Sequence, residues 1–386
     1  MVQLKYGCNP HQPFAAIEPL DGSASPVVLR NGNPSMINLL DALNAWQLVA
    51  ELREALDLPA AASFKHVSPA GAAVAVDLPG DLQQSYEVAG RELTPLATAY
   101  VRARGADPKC SFGDFVALSD RVDVATAKFL KGVVSDGVIA PGFEDEAFEI
   151  LSSKKGGGFI VIEADPAFVA PEREEREVFG VKLIQDRNNR RVALSDLDKL
   201  VCGTLNDDAR RDLVLGLVTL KYTQSNSVGY ALGGQMIGIG AGQQSRVDCT
   251  KLAGQKADTW HLGRHPKVLS LRFKAGVKRQ DRINWRVRFI EGDITPSEHQ
   301  QLAEVLDEPL ELLSTDEKQS WVEKLDQVAL ASDGFIPFRD NIEQAQKHGV
   351  RYIAQPGGSA RDGDIEEACR EYGIAMVHTD LRLFHH

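Results

Sequence analysis

Two long segments of the chain repeat apolar residues at helical spacing. Residues 41–56 place Trp46, Val49 and Leu52 on one face, and residues 207–221 show a similar pattern. Residues three and four positions apart share one side of an α-helix. The pattern therefore predicts two long helices, each with one face turned toward a core.

Short apolar runs lie between the helical segments and are typical of buried strands. One run covers residues 60–64, and two more, 228–232 and 235–239, flank Gly233-Gly234. A Gly-Gly pair between two such runs favours a β-hairpin. The alternation of helical and extended segments predicts an α/β fold with helices covering a sheet.

The run 60–64 leads into Lys65 and His66, which precede Ser68-Pro69. Serine is a common N-cap and proline suits the first helical position, so the sequence predicts a helix over residues 70–74. Lys65 and His66 would then lie between a strand end and a helix N-terminus, a place where α/β sheets bind anions. Histidine can accept a proton near neutral pH. A surface Lys-His pair without function fits the same residues.

The tripeptide Ser-Asp-Gly occurs at residues 135–137 and again at residues 332–334. Each copy precedes a helical pattern and then a short apolar run. Either a duplicated unit or chance explains this, and the matching flanks favour duplication. We therefore expect two units, 1–200 and 201–386, with a partly helical insertion in the second at about 250–320. The charged run 172–189 is predicted to be an exposed connection.

Composition and charge exclude several classes of protein. The net charge of -11 disfavours general nucleic-acid binding, which needs a basic surface. The five cysteines are scattered without a C-x-x-C pair, which argues for a reducing compartment and against a thiolate zinc site. No apolar run is long enough for a membrane span, and no signal peptide precedes the first motifs. We expect a cytoplasmic protein that binds neither membrane nor nucleic acid.

Two glycine-rich segments lead to no site. The run Gly238-Ile239-Gly240-Ala241-Gly242 resembles a dinucleotide fingerprint but lacks its third glycine. Residues 154–158, with two lysines before three glycines, are interpreted as a flexible surface turn.

Three other segments concentrate polar groups that can bind ligands. Residues 221–227 suit a carboxamide or pterin edge, although helix capping explains them as well. Arg246 follows a glycine-rich loop and can bind a carboxylate, or it can be a surface arginine. The C-terminal residues 380–386 are either docked against the protein or frayed.

Taken together, the motifs resemble one known family from residue 3 to residue 386. The matching segments are 5–12, 63–71, 111–115, 135–137, 221–228, 238–246, 337–341 and 381–386. They are similar to the AICAR transformylase half of the bifunctional AICAR transformylase/IMP cyclohydrolase family. The resemblance implies two cytidine-deaminase-like three-layer α/β units without zinc, which fits the repeat. A zinc deaminase is rejected because H-x-E and P-C-x-x-C are absent.

The resemblance also implies a reaction and roles for individual residues. Formyl would pass from 10-formyltetrahydrofolate to the 5-amino group of AICAR, giving FAICAR and tetrahydrofolate. His66 would accept the proton, Lys65 would stabilise the oxyanion, and Asn226 would orient the reacting groups. The AICAR site would comprise Lys5, Tyr6, Asn38, Gly113, Asp136, Phe335 and Arg382. The folate site would comprise Arg246, Val247, Phe338, Asp340, Asn341, Ser359 and Ala360. The family is a homodimer with shared active sites, and a monovalent cation is a further possible ligand.

Two departures from the family pattern limit the expectation. Lys5 stands where the family usually has arginine, so a point charge replaces a bidentate fork at the phosphate. The motifs begin at the N-terminus without a cyclohydrolase segment before them, so we expect a separate IMP cyclohydrolase to close the ring. The alternative is a catalytically silent relative that binds nucleotide or a cyclohydrolase partner. The intact Lys65, His66 and Asn226 count against it.

Overall fold

The structure is a computed structural model that describes residues 1–20, 22 and 24–386. Along the first half, the elements are β1 (Val2–Gln3), β2 (Ala16–Ile17), β3 (Val27–Asn31), α1 (Met36–Leu56), β4 (Ala60–Lys65), β5 (Ser68–Val74), α2 (Gly80–Ser85), α3 (Pro95–Ala106), β6 (Asp114–Leu118), α4 (Val124–Lys131), β7 (Ser135–Ala140), α5 (Asp145–Ser152) and β8 (Ile160–Ala164). A 3₁₀ turn, Lys154–Gly157, precedes β8, and a hairpin of β9 (Arg173–Val178) and β10 (Val181–Asp186) follows it.

The second half begins after another 3₁₀ turn, Leu194–Leu197. Its elements are β11 (Leu200–Cys202), α6 (Asp207–Lys221), β12 (Val228–Leu232), β13 (Gln235–Gly240), α7 (Arg246–Leu262), α8 (Pro266–Leu269), α9 (Arg279–Glu291), α10 (Pro296–Val305), α11 (Thr315–Val322), β14 (Val328–Ser332), α12 (Asp340–Gln346), β15 (Val350–Gln355), α13 (Asp362–Glu371) and β16 (Ala375–His378).

Twelve strands of the described chain form one mixed sheet in the order β11-β16-β15-β14-β12-β13-β5-β4-β6-β7-β8-β3. The order outward from the centre is the same in both halves. In each, an antiparallel hairpin is followed by three mutually parallel strands and one antiparallel edge strand. The predicted α/β fold is confirmed, whereas the likeness of each half to cytidine deaminase stays a prediction.

The topology corrects the alignment that the Ser-Asp-Gly repeat suggested. Strand order makes β6 equivalent to β14 and β7 equivalent to β15. The first tripeptide begins β7, but the second starts at Ser332, the last residue of β14. The two tripeptides are therefore not equivalent, because a short polar turn sequence fits either end of a strand.

Helices cover both faces of the sheet and give the fold three layers. α1 and α6 pack on one face against inward side chains such as Phe64 and Phe115. α3, α4, α5, α7, α12 and α13 pack on the other face against side chains such as Val116 and Val138. Strand residues alternate between the two cores, as the pleat requires. The four helices α8 to α11 have a separate apolar cluster that includes Phe289 and Leu302.

Two predictions of local structure need correction. Residues 70–74 belong to strand β5 rather than a helix, because small apolar residues pair there with β4 on one side and β13 on the other. The charged run 172–189 is exposed as expected but folds into the β9–β10 hairpin. By contrast, α6 and the β12–β13 hairpin are confirmed. In the described residues no helix is both long and apolar enough to cross a bilayer.

Candidate active site

Most of the predicted site residues lie along one edge of the sheet. Because β5 runs antiparallel to β13, the β4–β5 turn lies at the same edge as the C-terminal end of β13. The first half contributes the N-terminal ends of β6 and β7 to this edge, and the second half contributes the C-terminal ends of β14, β15 and β16. Ligands of open α/β sheets bind beyond such carboxyl ends.

Lys65 and His66 lie at a tight hairpin turn, not before a helix. Lys65 pairs with Ser68 across the hairpin, and His66 and Val67 have φ of 56° and 58°. Positive φ at both central residues is the geometry of a type I′ turn, which glycine or asparagine usually supplies. Asp41, which is buried in α1, accepts a hydrogen bond from the Val67 N–H at 2.6 Å. Burial raises the pKa of Asp41, against the lowering effect of that hydrogen bond and of His66.

The loop before β6 holds the ammonium group of Lys65. Lys65 Nζ donates to the Phe112 carbonyl at 2.8 Å. The next residue, Gly113, has φ of 74° and donates its N–H to the Val134 carbonyl. His66 is exposed, while Lys65 is half-buried. The predicted stabiliser Lys65 therefore binds the residue directly before the predicted AICAR residue Gly113.

Below this turn, three buried polar groups fix the strand ends. Ser63 Oγ donates to Asp114 Oδ2 at 2.7 Å, and Arg104 Nη1 donates to Asp114 Oδ1 at 2.8 Å. All three side chains are at most 6% exposed, so removing one partner would leave a buried group unpaired. This arrangement ties α3 and β6 to the end of β4.

Residues 155–158 are exposed, as expected of a surface turn, but Lys154 at the start of this segment is not. Lys154 is buried and donates to the Leu130 and Val133 carbonyls and to Ser135 Oγ, at 2.7 to 2.9 Å. Burial lowers the pKa of Lys154 to about 8. Lys155 forms an ion pair of 2.7 Å with Asp136, a predicted AICAR residue. Lys155 was not predicted as a candidate site residue, because its glycine-rich context is typical of a loop.

The remaining first-half residues of the predicted AICAR site surround the start of α1. The Lys5 N–H donates to the Pro34 carbonyl, and the Tyr6 carbonyl accepts from the Met36 N–H. Asn38 Oδ1 accepts from the Ser35 N–H at 3.0 Å, so this side chain caps the helix. Tyr6 and Asn38 therefore stabilise the helix start, whatever they bind.

Asn226 is held by Arg246 on the second half of the edge. Arg246 Nη2 donates to Asn226 Oδ1 at 2.8 Å, and Asn226 Nδ2 donates to the Gln243 carbonyl at 3.0 Å. Arg246 is buried and its Nη1 lies 2.6 Å from Asp333 Oδ1. Arg246 is thus positioned to orient Asn226, whereas the resemblance assigned it to folate. Asp333, which also binds Ser225 Oγ and the Ser227 N–H, was missed as a site residue.

The C-terminal residues are docked against this cluster. The Leu383 N–H donates to the Asp333 carbonyl at 2.8 Å, and the Ser225 N–H donates to the His385 carbonyl at 3.0 Å. Leu383 is 2% exposed, while Arg382 lies over the Phe384 ring at 4.8 Å from its centroid. Of the two alternatives for the tail, the docked one is confirmed, and Arg382 directly precedes Leu383, which binds Asp333 at the sheet edge.

The other residues of the predicted folate site follow the ends of β13, β14 and β15. Phe338 is 53% exposed, and Arg361 lies over its ring at 5.2 Å. A surface pocket between α12 and α13 is lined by Phe338, Asp340 and Arg361. Ser359 and Ala360 precede Arg361, and Val247 lies in the first turn of α7. Asn341 is 2% exposed and pairs with Thr250, so it supports the pocket from inside.

The predicted residues therefore form two groups within one chain. Lys65, His66, Gly113 and Asp136 belong to the first half, while Asn226, Phe335 and Arg382 belong to the second. Phe335 is 47% exposed. The Gln224 N–H reaches Ser68 Oγ at 3.4 Å, which links the two groups. No hydrogen bond within the described ranges joins Lys65 or His66 to Asn226.

The titratable and sulfur side chains of the described residues form no evident metal centre. No cluster of three or more His, Cys, Asp and Glu side chains there is arranged to hold an ion. The prediction that zinc is absent stays a prediction.

Comparison with known proteins agrees with this arrangement of motifs. The family described as AICARFT/IMPCHase bienzyme matches residues 1–256. Proteins named bifunctional purine biosynthesis protein PurH are similar over 99% of this chain, with 32% identity in Roseobacter denitrificans, 30% in Magnetococcus marinus and 32% in Cereibacter sphaeroides. The chain spans 59% of the length of each of these relatives. This chain belongs to the AICARFT/IMPCHase bienzyme family.

Proposed function

We propose that this chain transfers the formyl group of 10-formyltetrahydrofolate to the 5-amino group of AICAR. The observation that carries the proposal is the turn at His66. Two residues without glycine's freedom are held there at positive φ by a buried carboxylate, next to an ammonium group anchored at 2.8 Å on a loop carbonyl. Strained backbone of this kind concentrates at functional sites.

The proposed reaction needs a base and an electrostatic stabiliser. The AICAR amine is a weak nucleophile because its lone pair is delocalised into the ring. As its nitrogen bonds to the formyl carbon, His66 accepts the N–H proton and Lys65 stabilises the developing oxyanion. Collapse of the intermediate breaks the bond from carbon to N10 of the folate. His66 then returns the proton to that nitrogen, giving FAICAR and tetrahydrofolate.

Asn226 completes the proposed centre by orienting the reacting groups. Its Oδ1 accepts from Arg246 and its Nδ2 points to the carbonyls of residues 243 and 244. A fixed carboxamide offers a donor and an acceptor in a defined direction. We propose that Lys5, Lys155 and Arg382 supply positive charge for the nucleotide phosphate, and that the pocket beside Phe338 takes the folate.

Formyl transfer is tested by folate-dependent turnover of AICAR, with product identification by mass spectrometry. Wild type should release FAICAR and tetrahydrofolate. His66→Ala should lose activity about 100- to 10,000-fold and Lys65→Ala about 100-fold, in line with lost proton transfer and oxyanion stabilisation. The exposed His299 of α10 gives a matched control, and His299→Ala should retain activity. Absence of wild-type turnover at saturating substrates would contradict the proposal.

We also propose that the chain forms a homodimer with shared active sites. The β9–β10 hairpin supports this, because Phe179 is fully exposed and Leu183 and Ile184 are more than half exposed. An isolated two-stranded hairpin is marginally stable in water, and such apolar surface marks an interface. Arg176 on this hairpin donates to the His386 carbonyl at 3.0 Å, which places the hairpin beside the docked tail.

Mixing two inactive variants tests whether active sites are shared. A heterodimer of His66→Ala with Asn226→Ala would contain one site with both changes and one with neither. Random pairing should then restore about a quarter of the wild-type activity. Failure to restore activity in confirmed heterodimers would show that each site lies within one chain. Sedimentation of Phe179→Asp tests the interface itself, since a charge there should favour the monomer.

A monovalent cation is a further proposal, and its candidate position is beside Ser227. The Ser227 hydroxyl is buried and has no hydrogen-bond partner among the described residues, and Asp333 accepts from the N–H of the same residue. Hard cations take oxygen ligands, and the Ser227 hydroxyl would supply one of them. Replacing potassium with choline should lower the melting temperature of wild type but not of Ser227→Ala. An equal response of both proteins would exclude this position.

A further inference from the structure

A cavity of about 330 Å³ lies between α3, α7 and α9, on the face of the sheet that α3 and α7 cover rather than at the active-site edge. Its wall is mainly apolar and includes Val101, Phe129, Val268, Ile283 and Val287. The volume is at the lower end of the range of small-molecule sites, roughly 300 to 1,000 Å³. A compact ligand with one apolar side therefore fits it.

The charged groups of the cavity are predominantly cationic. Arg104, Lys109, Lys256, Arg279 and Arg286 line it, against Glu87, Asp107 and Glu291. Arg279, Arg282 and Arg286 all pair with the single carboxylate of Glu87, at 2.6 to 3.4 Å. Three guanidinium groups on one carboxylate leave an excess of positive charge at the end of an apolar cavity. That combination favours an anion, since guanidinium binds carboxylates and sulfonates through paired N–H donors.

The cavity and the candidate active site share one loop. Asp107 and Cys110 line the cavity, while Phe112 and Gly113 of the same loop contact Lys65 or adjoin it. Lys256 reaches Asp107 at 2.8 Å from the far wall. Arg104 forms a second connection, because it lines the cavity and also binds Asp114 at 2.8 Å.

We propose that this cavity binds a small amphipathic anion and that the loop of residues 107–113 couples its occupancy to the position of Lys65. The coupling rests on the proposed function, whereas the binding site does not. The Phe112 carbonyl lies two residues after Cys110 on this loop, so a ligand that shifts Cys110 would displace the acceptor of the Lys65 ammonium group. By linkage, a nucleotide at the active site must then change the affinity of the cavity for its ligand.

The binding site is tested with 8-anilinonaphthalene-1-sulfonate, an apolar fluorophore with one anionic group. The full chain should bind it at one saturable site, with energy transfer from Trp260, which lines the cavity. Ile283→Trp should fill the cavity and abolish binding, whereas Asn284→Trp on the exposed side of α9 should not. Arg286→Gln should raise the Kd about tenfold, the loss of one charge-assisted hydrogen bond, and Arg288→Gln should leave it unchanged. Equal binding by the Ile283 and Asn284 variants would overturn the proposal.

The coupling is tested by measuring the Kd of the fluorophore with and without saturating AICAR. Calorimetry measures the binding of AICAR separately. If AICAR does not bind, the proposed function fails, and this result is distinct from a failure of the coupling. A shift of threefold or more in wild type, absent in Lys65→Met, would support coupling through the loop. An unchanged Kd in the presence of bound AICAR would overturn it. If Ile283→Trp still binds the fluorophore and folate displaces it, the fluorophore binds at the active site and not in the cavity.

Discussion

The two halves of the sheet build the same hairpin turn from different residues. In the first half His66 and Val67 connect β4 to β5, and in the second half Gly233 and Gly234 connect β12 to β13. All four residues have positive φ, between 56° and 82°. The supporting acid is also equivalent, since Asp41 and Asp212 each occupy the sixth position of their helix, α1 or α6.

The two turns differ in backbone strain. Asp212 accepts from the N–H groups of Gly233 and Gly234 at 2.7 and 2.8 Å, and Asp41 accepts from Val67 at 2.6 Å. Glycine adopts positive φ freely, whereas a β-branched residue there is an outlier. The first half therefore keeps a strained turn where the second half has a relaxed one. The strained turn is the one that presents Lys65 and His66.

The largest expected effect on stability comes from removing the two supporting acids. Asp212→Ala and Asp41→Ala should each lower the free energy of unfolding by about 2 to 3 kcal/mol, because buried N–H groups lose a charged acceptor. Chemical denaturation measures both. Only Asp41→Ala should also impair turnover, since only that turn presents the proposed base. Equal loss of activity in both variants would remove the functional distinction between the turns.

Exchanging the turn residues should give a smaller effect of opposite sign in the two halves. His66→Gly should raise the free energy of unfolding by about 1 kcal/mol through relief of the left-handed backbone. Gly233→Ala should lower it by a similar amount, and an added Cβ there meets nothing within 4 Å, so the cost is conformational. Denaturation curves of the two variants, measured side by side, report this contrast. A stability loss in His66→Gly would contradict the strain argument.

A second difference between the halves is the insertion, and its docking should depend on pH. Helices α8 to α11 separate α7 from β14, whereas residues 107–113 alone separate α3 from β6. Burial raises the pKa of Glu87, but Arg282 and Arg286 outweigh burial and hold it at about 2. The unfolded carboxyl titrates near 4.5, so its stabilisation is complete above that pH and is lost as the pH falls toward 2.

Hydrogen exchange of the α9 backbone amides measures the pH-dependent docking of the insertion, which is the smallest of the expected effects. Exchange of residues 279–291 should accelerate between pH 6 and pH 3, after correction for the intrinsic rate, while α1 stays protected. Glu87→Gln should exchange faster at pH 6 and lose the additional change at low pH. The exposed Glu92 provides the control variant Glu92→Gln. The same pH response in the Glu87 and Glu92 variants would show that another group controls docking.

The sequence was informative where local and tertiary preferences agree. α6 and the Gly233-Gly234 hairpin follow from apolar spacing and from glycine, and both are confirmed. The Ser68-Pro69 signal failed because β5 pairs with two neighbouring strands, a long-range effect that outweighs a local N-cap preference. Lys154 was misjudged because three acceptors that lie 19 to 24 residues away determine its burial.

For the candidate site, sequence motifs predicted the side chains but not the groups that hold them in position. Asp41 stood at the start of a predicted helix, and nothing in its spacing indicated that it would bind the Val67 N–H. The folate-site role of Arg246 stays a prediction, and its position between Asn226 and Asp333 was not foreseen from the sequence. The groups that hold a site residue depend on how separate helices and strands pack against each other. Residue type and spacing in the sequence do not specify that packing.

The most direct test of the central claim is the formyl-transfer rate of His66→Gly beside that of Gly233→Ala. We expect His66→Gly to be at least as stable as wild type and to lose turnover about 100- to 10,000-fold, the effect of removing a proton-transfer group. Gly233→Ala should be less stable and retain the wild-type rate below its unfolding transition. Turnover of His66→Gly near the wild-type rate would contradict the assignment of this turn as the catalytic centre.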